Sequence, residues 1–318
     1  MHAELSGPLV AFVLGAAVGA APFLLGLLPR ARRGARPDES AASSDRSGRR
    51  TVRVAAVSAA ITLAVLAAGG YAALRMFLGS TPMAAADPAQ AVDEFRRTVG
   101  ASCPAVPRSI GLLGPPCGGV YEYEASGSWT TTAPILGAEH RELPATVPAT
   151  VLADDDGWSL ALRYFDKHVT TLRFRGGVGP HLEELGGETD SVRFGLPVHT
   201  DVTCDPPDVV APAPLGTEWT AACEAVTGGL MGASQTLLST DTLVGVERLD
   251  VGGTPLEAWH VHRETRVSGS QSGTVSRDTW FSTTDGMVLR LELEGRTEGL
   301  ATHVETIRLR LRSLVPDT

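Results

Sequence analysis

The sequence predicts a mainly β fold, an antiparallel curved sheet of half-barrel or barrel-like form, behind an N-terminal two-helix transmembrane hairpin. Three observations predict it: two long apolar runs lie in the first 78 residues, a period-two alternation of apolar and polar residues begins at Gly119, and the alternating runs follow one another without intervening helical patterns. Parallel strands need long crossover connections, usually helices, so these runs favour an antiparallel meander.

The membrane hairpin rests on two spans, residues 8–28 and 54–78, joined by an arginine-rich loop, residues 29–53. About 20 apolar residues cross the hydrocarbon core of a bilayer, and arginines in short loops tend to stay in the cytoplasm. The loop is therefore expected inside, which places both termini outside and makes this a cell-membrane protein with its bulk extracytoplasmic.

An alternative interpretation takes Arg49-Arg50 as the start of an export signal that is cleaved after Ala84-x-Ala86. The apolar stretch is longer than the usual signal core of about 7 to 15 residues. The chain that follows is extracytoplasmic under either interpretation.

The chain divides into the membrane hairpin (1–78), a juxtamembrane helix with a cysteine loop (79–118) and an extracytoplasmic β domain (119–318). Asp87 is placed to cap the helix, Pro88 suits its first turn and Gly100 ends it. Its apolar residues recur on one face and should pack on the sheet: Ala91, Phe95 and Val99.

About ten strands are expected in the β domain, separated by Gly, Asp and Pro residues such as the Gly252-Gly253 turn. A sheet of that size has to curl, split or close in order to hide its edges. The alternating runs begin at residues 119, 158, 169, 191, 235, 255, 274, 287 and 303.

All four cysteines follow the second span: Cys103, Cys117, Cys204 and Cys223. An even count in an oxidising compartment favours disulfides, and the simplest of three pairings is local, 103 with 117 and 204 with 223. Each bridge would close a Pro-rich loop with little core of its own. Zinc is an alternative, although the spacing lacks the usual C-x-x-C pairs.

Charge argues against nucleic acid as a partner. The chain has 27 basic and 36 acidic residues, of which nine and four precede residue 79, leaving 18 basic and 32 acidic residues beyond it. The field around the soluble part therefore repels polyanions.

The sequence contains one candidate for a catalytic site, a metal site at His260, His262 and Glu264. The alternation of the strand directs these three side chains to one face. The alternative is a polar outer face opposite Trp259 and Val261. Gly269 to Gly273 resembles a serine-hydrolase elbow, but Gln271 stands where the nucleophile should be. We expect no cofactor and no enzyme activity; a metal-assisted hydrolase at the histidines is the alternative.

A family resemblance begins at the hairpin TWFSTTDGMVLRLELEG, with its Trp280 strand, its Asp-Gly turn and its outward Arg290. Together with YEYEASG at 121, the Cys204 to Cys223 loop and HVHRE at 260, it resembles uncharacterised membrane-anchored actinobacterial proteins. The resemblance covers about residues 119–316 and implies a LolA-like, lipoprotein-carrier-like sheet that holds acyl chains in its concavity. This sequence lacks a lipobox cysteine after the span and shows no helices to plug the sheet.

We therefore expect a cell-envelope module that binds an apolar, lipid-like ligand or an envelope partner protein on the concave face of its sheet. A structural ectodomain of a membrane complex is a further alternative. The alternative is that the same side chains form ordinary core, which is the commoner role of such residues. The candidate lining residues are Tyr121, Tyr123, Trp158, Leu160, Trp259, Trp280, Leu289 and Leu291.

Overall fold

A computed structural model describes residues 83–98, 113–134, 136–153, 157–176, 181–210, 214–228 and 232–318, the side chains of 209 and 210 excepted. Both predicted spans and the loop between them lie outside these ranges, as does Cys103. Within the described ranges, no helix is long and apolar enough to cross a bilayer.

The described chain forms one helix followed by thirteen strands. The helix α1 spans Pro88–Thr98. The strands are β1 Gly119–Ala133, β2 Gly137–Glu142, β3 Thr146–Ala153, β4 Trp158–Phe165, β5 His168–Gly176, β6 Leu182–Arg193, β7 Leu196–Val210, β8 Glu218–Thr227, β9 Ala233–Val251, β10 Thr254–Gly269, β11 Ser272–Ser282, β12 Val288–Glu298 and β13 Thr302–Leu311.

The strands form an antiparallel meander that closes on itself, because β1 pairs with β13 from Tyr123↔Leu311 to Thr132↔Thr302. On its other edge, β1 pairs first with β3 and then with β2, so β2 and β3 together occupy one position of a 12-strand ring. The barrel-like form is confirmed and the half-barrel is wrong. Closure pairs the two edge strands that an open sheet would leave exposed.

A glycine marks the seam where the barrel closes. Gly127 lies in β1 with φ 121°, and a Cβ at this position would lie 2.0 Å from the carbonyl oxygen of Thr306 in β13. A side chain at residue 127 would push the two strands apart, so the seam depends on glycine here.

The two ends of the barrel differ. We call the end that carries the β6–β7 turn at Arg193–Leu196 and the β10–β11 turn at Gly269–Ser272 the distal end, and the opposite end the proximal end. The proximal half is filled with apolar side chains. Phe174 stacks on Trp158 at 4.5 Å and meets Phe281 at 6.1 Å, which joins β5 to β11 across the interior.

The helix α1 lies on the outside of this barrel rather than in it. Asp87 Oδ1 accepts a hydrogen bond from Ala89 N at 2.9 Å, which confirms the predicted cap. Phe95 and Ala91 are buried against Val120 of β1 and Leu152 of β3. The predicted packing of Phe95 on the sheet is therefore confirmed.

The structure differs from two expectations, one about a strand and one about a loop. The run at 191–196 is the end of β6 and a turn at Phe194, whose φ of 51° no strand residue adopts. The Cys204 to Cys223 segment, expected to be irregular, contains the second half of β7 and the first half of β8. In both segments, apolar and polar residues alternate in the turns much as they do in the strands. The alternation therefore does not distinguish a turn from a strand here.

Candidate functional site

The distal half of the barrel interior holds a chamber of about 210 Å³. Its walls come from the strands β5 to β12, and several of the lining residues are only partly buried although they point into the barrel. Partly exposed apolar side chains inside a barrel indicate that solvent or a ligand reaches them. The apolar wall residues include Leu172, Val202, Leu237, Val267, Val275 and Leu293.

Charged side chains meet at the floor of this chamber, and Arg263 is at their centre. Arg263 Nε donates to Asp241 Oδ1 at 2.6 Å and Nη1 donates to Glu184 Oε2 at 3.0 Å, while Nη2 pairs with Asp208. Arg277 contributes Nη2 to Glu184 Oε2 at 2.7 Å. The Arg263 and Glu184 side chains are less than a tenth exposed.

Trp219 ties this floor network to the barrel wall. Its indole Nε1 donates to Asp208 Oδ1 at 3.1 Å. Asp241, Arg263 and Arg277 are direct cross-strand neighbours on β9, β10 and β11, so their side chains share the inner face at one level. The floor is therefore built from six consecutive strands of the meander, β6 to β11, rather than from a loop.

Burial and unequal charge set the protonation of the floor network. Burial works against the Glu184 carboxylate, but Arg263 and Arg277 outweigh it and lower its pKa to about 2. Burial raises the pKa of Asp241 to about 7, with Glu184 adding to the effect and Arg277 opposing it. Burial also lowers the pKa of Arg263 to about 10. With three carboxylates around two guanidinium groups, Asp241 is partly protonated near pH 7.

One donor of the floor network is left over. Arg277 lines the chamber, and its buried Nε has no hydrogen-bond partner within the described residues. A buried donor of this kind normally finds a protein group, a water or a ligand. A ligand acceptor that enters the chamber and reaches this donor would complete its hydrogen bonding.

A second buried network fills the other side of the distal half. Arg193 Nη1 lies 2.9 Å from His303 Nδ1 and donates to Thr131 Oγ1 at 3.2 Å. Glu139 Oε2 accepts from the backbone N of Phe194 at 3.0 Å, which holds the β6–β7 turn against β2.

His168 lies beside this second network, buried against the Trp129 ring at 4.5 Å. Burial, with the nearby Arg193 adding to the effect and Glu305 opposing it, lowers the pKa of His168 to about 3. The imidazole is therefore neutral at physiological pH and serves as a packed aromatic ring.

The aromatic and leucine residues expected to line a ligand site are buried, each at 5% exposure or less. Tyr123, for example, donates its hydroxyl to Val288 O at 2.6 Å, and burial raises its pKa. This placement is that of ordinary core. The group comprises Tyr121, Tyr123, Trp158, Leu160, Trp259, Leu289 and Leu291, all in one buried cluster.

Trp280 was expected on the same face as Trp259, and this expectation is wrong. The cross-strand partner of Trp259 is Phe281, whereas Trp280 pairs with His260. Trp280 therefore lies on the outer face, stacked on His260 at 4.2 Å and covered by Arg290 at 4.4 Å. The outward direction of Arg290 agrees with the sequence analysis.

The predicted metal ligands do share the outer face, but their nitrogens already face carboxylates. His260 Nδ1 and Nε2 lie 2.7 and 2.8 Å from Glu247 and Asp278, and His262 lies 3.0 and 3.1 Å from Asp278 and Glu264. Among the described residues, no group of three or more His, Cys, Asp or Glu side chains is arranged to hold a metal ion.

The predicted disulfide between Cys204 and Cys223 is present, with the two Cα atoms 4.1 Å apart. It joins directly opposed residues of β7 and β8. The proposed pairing of Cys117 with Cys103 falls partly outside the described residues and stays a prediction.

Sequence reasoning missed the floor residues Glu184, Arg263 and Arg277. The signal was available for Arg263, because the alternation that directs His262 and Glu264 outward directs Arg263 inward with Val261. Arginine is rarely buried, so an inward arginine contradicts the usual polarity of a strand. Its carboxylate partners lie on β6, β7 and β9, too distant in sequence for any local pattern.

Comparison with known proteins gives little. No protein-family model matches the chain, and no curated protein matches it. A crystal structure of the hypothetical lipoprotein YmcC from Escherichia coli (K12) superposes with 12% identity and a TM-score of 0.34, covering 60% of this chain and 85% of that one. A superposition of this quality supports no conclusion about fold or function.

Proposed function

We propose that the chain is a non-enzymatic, membrane-anchored module of the cell envelope that binds a small amphipathic ligand in the distal chamber. The observation that carries the proposal is a partly open apolar interior above the unpartnered Nε of Arg277. Ligand sites typically combine apolar walls with a few polar groups that fix orientation. Here the walls would hold the apolar body and Arg277 would receive an acceptor group.

Chamber size limits the ligand. A cavity of about 150 Å³ holds one benzene molecule, so about 210 Å³ suits a chain of about eight carbons. A long acyl chain does not fit inside without displacing the floor network. The lipid-like ligand expected from the sequence is therefore narrowed to a short chain or a small apolar ring with one acceptor.

The polarity of the chamber floor further limits which ligands can bind. Arg277 presents only a donor to the chamber, and Arg263 stands beside it. A ligand with a carboxylate or hydroxyl oxygen can accept the Nε–H bond, whereas a primary ammonium group has no lone pair to accept it. We expect octanoate and octanol to bind at least tenfold more tightly than octylamine.

The test is a calorimetric titration of the full chain in lipid nanodiscs, with protein-free nanodiscs as the blank. A series of fatty acids of 6 to 14 carbons distinguishes binding in the chamber from partition into the bilayer. Partition into lipid keeps rising by about 0.8 kcal/mol per CH₂, whereas binding in the chamber should stop rising near eight carbons. A steady rise with chain length would contradict the proposal.

Two tryptophan variants on one strand provide the matched control. Val275→Trp fills the chamber from β11, and we expect it to reduce octanoate affinity at least tenfold. Thr274 is the preceding residue, exposed on the opposite face, so Thr274→Trp should bind like the unchanged protein. Equal affinity of the two variants for octanoate would place binding outside the barrel.

A further inference from the structure

The barrel wall opens between β7 and β8, beside the chamber, with which the opening shares Ser239 and Thr265. Their paired residues run from Thr200↔Thr227 to Cys204↔Cys223 and stop there, although β7 continues to Val210 and β8 begins at Glu218. Residues 204–207 of β7 fall between two pairs of the β6–β7 ladder, and two of them are prolines, which have no N–H to donate. The two strands therefore diverge immediately beyond the disulfide.

Two hydrogen bonds show which backbone groups of β8 face this opening. Gly228 N donates to His199 O at 2.8 Å, so even-numbered residues of β8 direct their N–H and C=O groups toward β7. Leu243 N donates to Thr217 O at 3.2 Å, so odd-numbered residues face β9. Beyond the disulfide, three residues point their backbone groups at the position that β7 has left: Glu218, Thr220 and Ala222.

A groove of about 930 Å³ lies along this edge. Pro206 and Pro207 form one side, Thr220 and Ala222 form the other, and Leu238 of β9 lies in the groove with 52% of its surface exposed. An exposed leucine beside backbone groups that the described strands leave unpaired combines the two features that a strand-binding surface needs, a ladder and a side-chain contact.

The rim of the groove is mainly acidic. Asp205 and Glu218 are exposed, and the Glu264 side chain is 56% exposed in the row that runs through Thr240 to Thr220. Arg266 is the basic residue among the groove-lining residues. A segment that carries lysine or arginine complements this rim, whereas symmetric pairing with a second copy of the chain would place acidic residues against acidic residues.

We propose that the β8 edge from Glu218 to Ala222 docks an extended, basic segment of a partner protein, which adds to the barrel wall as a strand. Five extended residues span about 17 Å, which matches the edge. Backbone hydrogen bonds to Glu218, Thr220 and Ala222 would supply affinity, and Leu238 would contact an apolar side chain of the segment. The proposal is independent of ligand binding in the chamber.

The test uses a seven-residue peptide of the pattern Lys-Val-Thr-Val-Thr-Val-Lys and the full chain in nanodiscs, followed by fluorescence anisotropy. Two further peptides carry N-methyl groups on the backbone, one on its odd-numbered residues and the other on its even-numbered residues. Only one set of peptide N–H groups can face the β8 edge, so one methylated peptide should lose at least tenfold in affinity and the other should bind nearly normally. Equal binding of both peptides would show non-specific electrostatic attraction and overturn the proposal.

Variants at Thr220 test the same edge from the protein side. Thr220→Pro removes one edge N–H and leaves the β8–β9 ladder intact, because that N–H points away from β9. The Thr220→Pro variant should bind the unmethylated peptide at least tenfold more weakly, while the Thr220→Val variant should bind it with normal affinity. Unchanged binding by a Thr220→Pro protein that keeps its disulfide would overturn the proposal, as would concentration-dependent dimers that the peptide dissociates.

Discussion

Arg263 is the best place to test how the floor network holds the barrel, because it contacts Asp241, Glu184 and Asp208 at once. Arg263→Met keeps most of the side-chain length and removes the charge. Removing one partner from a buried ion pair costs about 3 to 5 kcal/mol, since the remaining charge is left without compensation. Asp241 already holds part of a proton near pH 7, so we expect the lower half of that range, about 3 to 4 kcal/mol.

The assay is urea unfolding of the full chain at pH 7, followed by tryptophan fluorescence, to which Trp219 beside the network contributes. Arg266→Met is the matched control, because Arg266 is an exposed arginine three residues further along the same strand. Its substitution should change the free energy of unfolding by no more than about 0.5 kcal/mol. A loss below about 1 kcal/mol in Arg263→Met would refute the view that this network is a buried structural unit.

Three further predictions concern other parts of the chain. Because burial lowers the pKa of His168 to about 3, the unfolded chain binds a proton below pH 6.5 that the folded chain does not. Compared with the His168→Leu variant, the protein should therefore lose about 2 kcal/mol of unfolding free energy between pH 6.5 and 5, measured by chemical unfolding. Parallel pH profiles of the two proteins would contradict this. Replacing both Cys204 and Cys223 by Ala should cost about 3 kcal/mol in the same assay, given a sequence separation of 19; no loss would show that the strands alone fix this pairing. A reporter fused after Ser44 should read as cytoplasmic and one after Thr318 as external; a cytoplasmic C-terminus would refute the predicted topology.

Elements that depend on neighbouring residues could be predicted from the sequence. Asp87 and Pro88 specify the start of α1, and the alternation from Trp158 to Phe165 coincides with β4. The Gly252-Gly253 step forms the expected turn, with φ of 59° and 83°. In each case the physical cause lies within a few residues of the element.

Features that depend on distant residues could not be predicted. Closure joins β1 to β13, whose residues are about 180 positions apart, and no local pattern encodes that pairing. The face of Trp280 follows from its register with His260, which a shift of one residue would reverse. No local pattern shows that the expected lining residues fill the proximal half while smaller residues leave the distal half open.

The most direct test of a ligand chamber is a crystal structure of the full chain soaked with 8-bromooctanoate. The proposal predicts a bromine anomalous peak inside the distal half of the barrel, near Val275 and Leu293, with the carboxylate toward Arg277 Nε. A bromine peak on the outer surface alone, with the chamber filled by rearranged side chains, would contradict it.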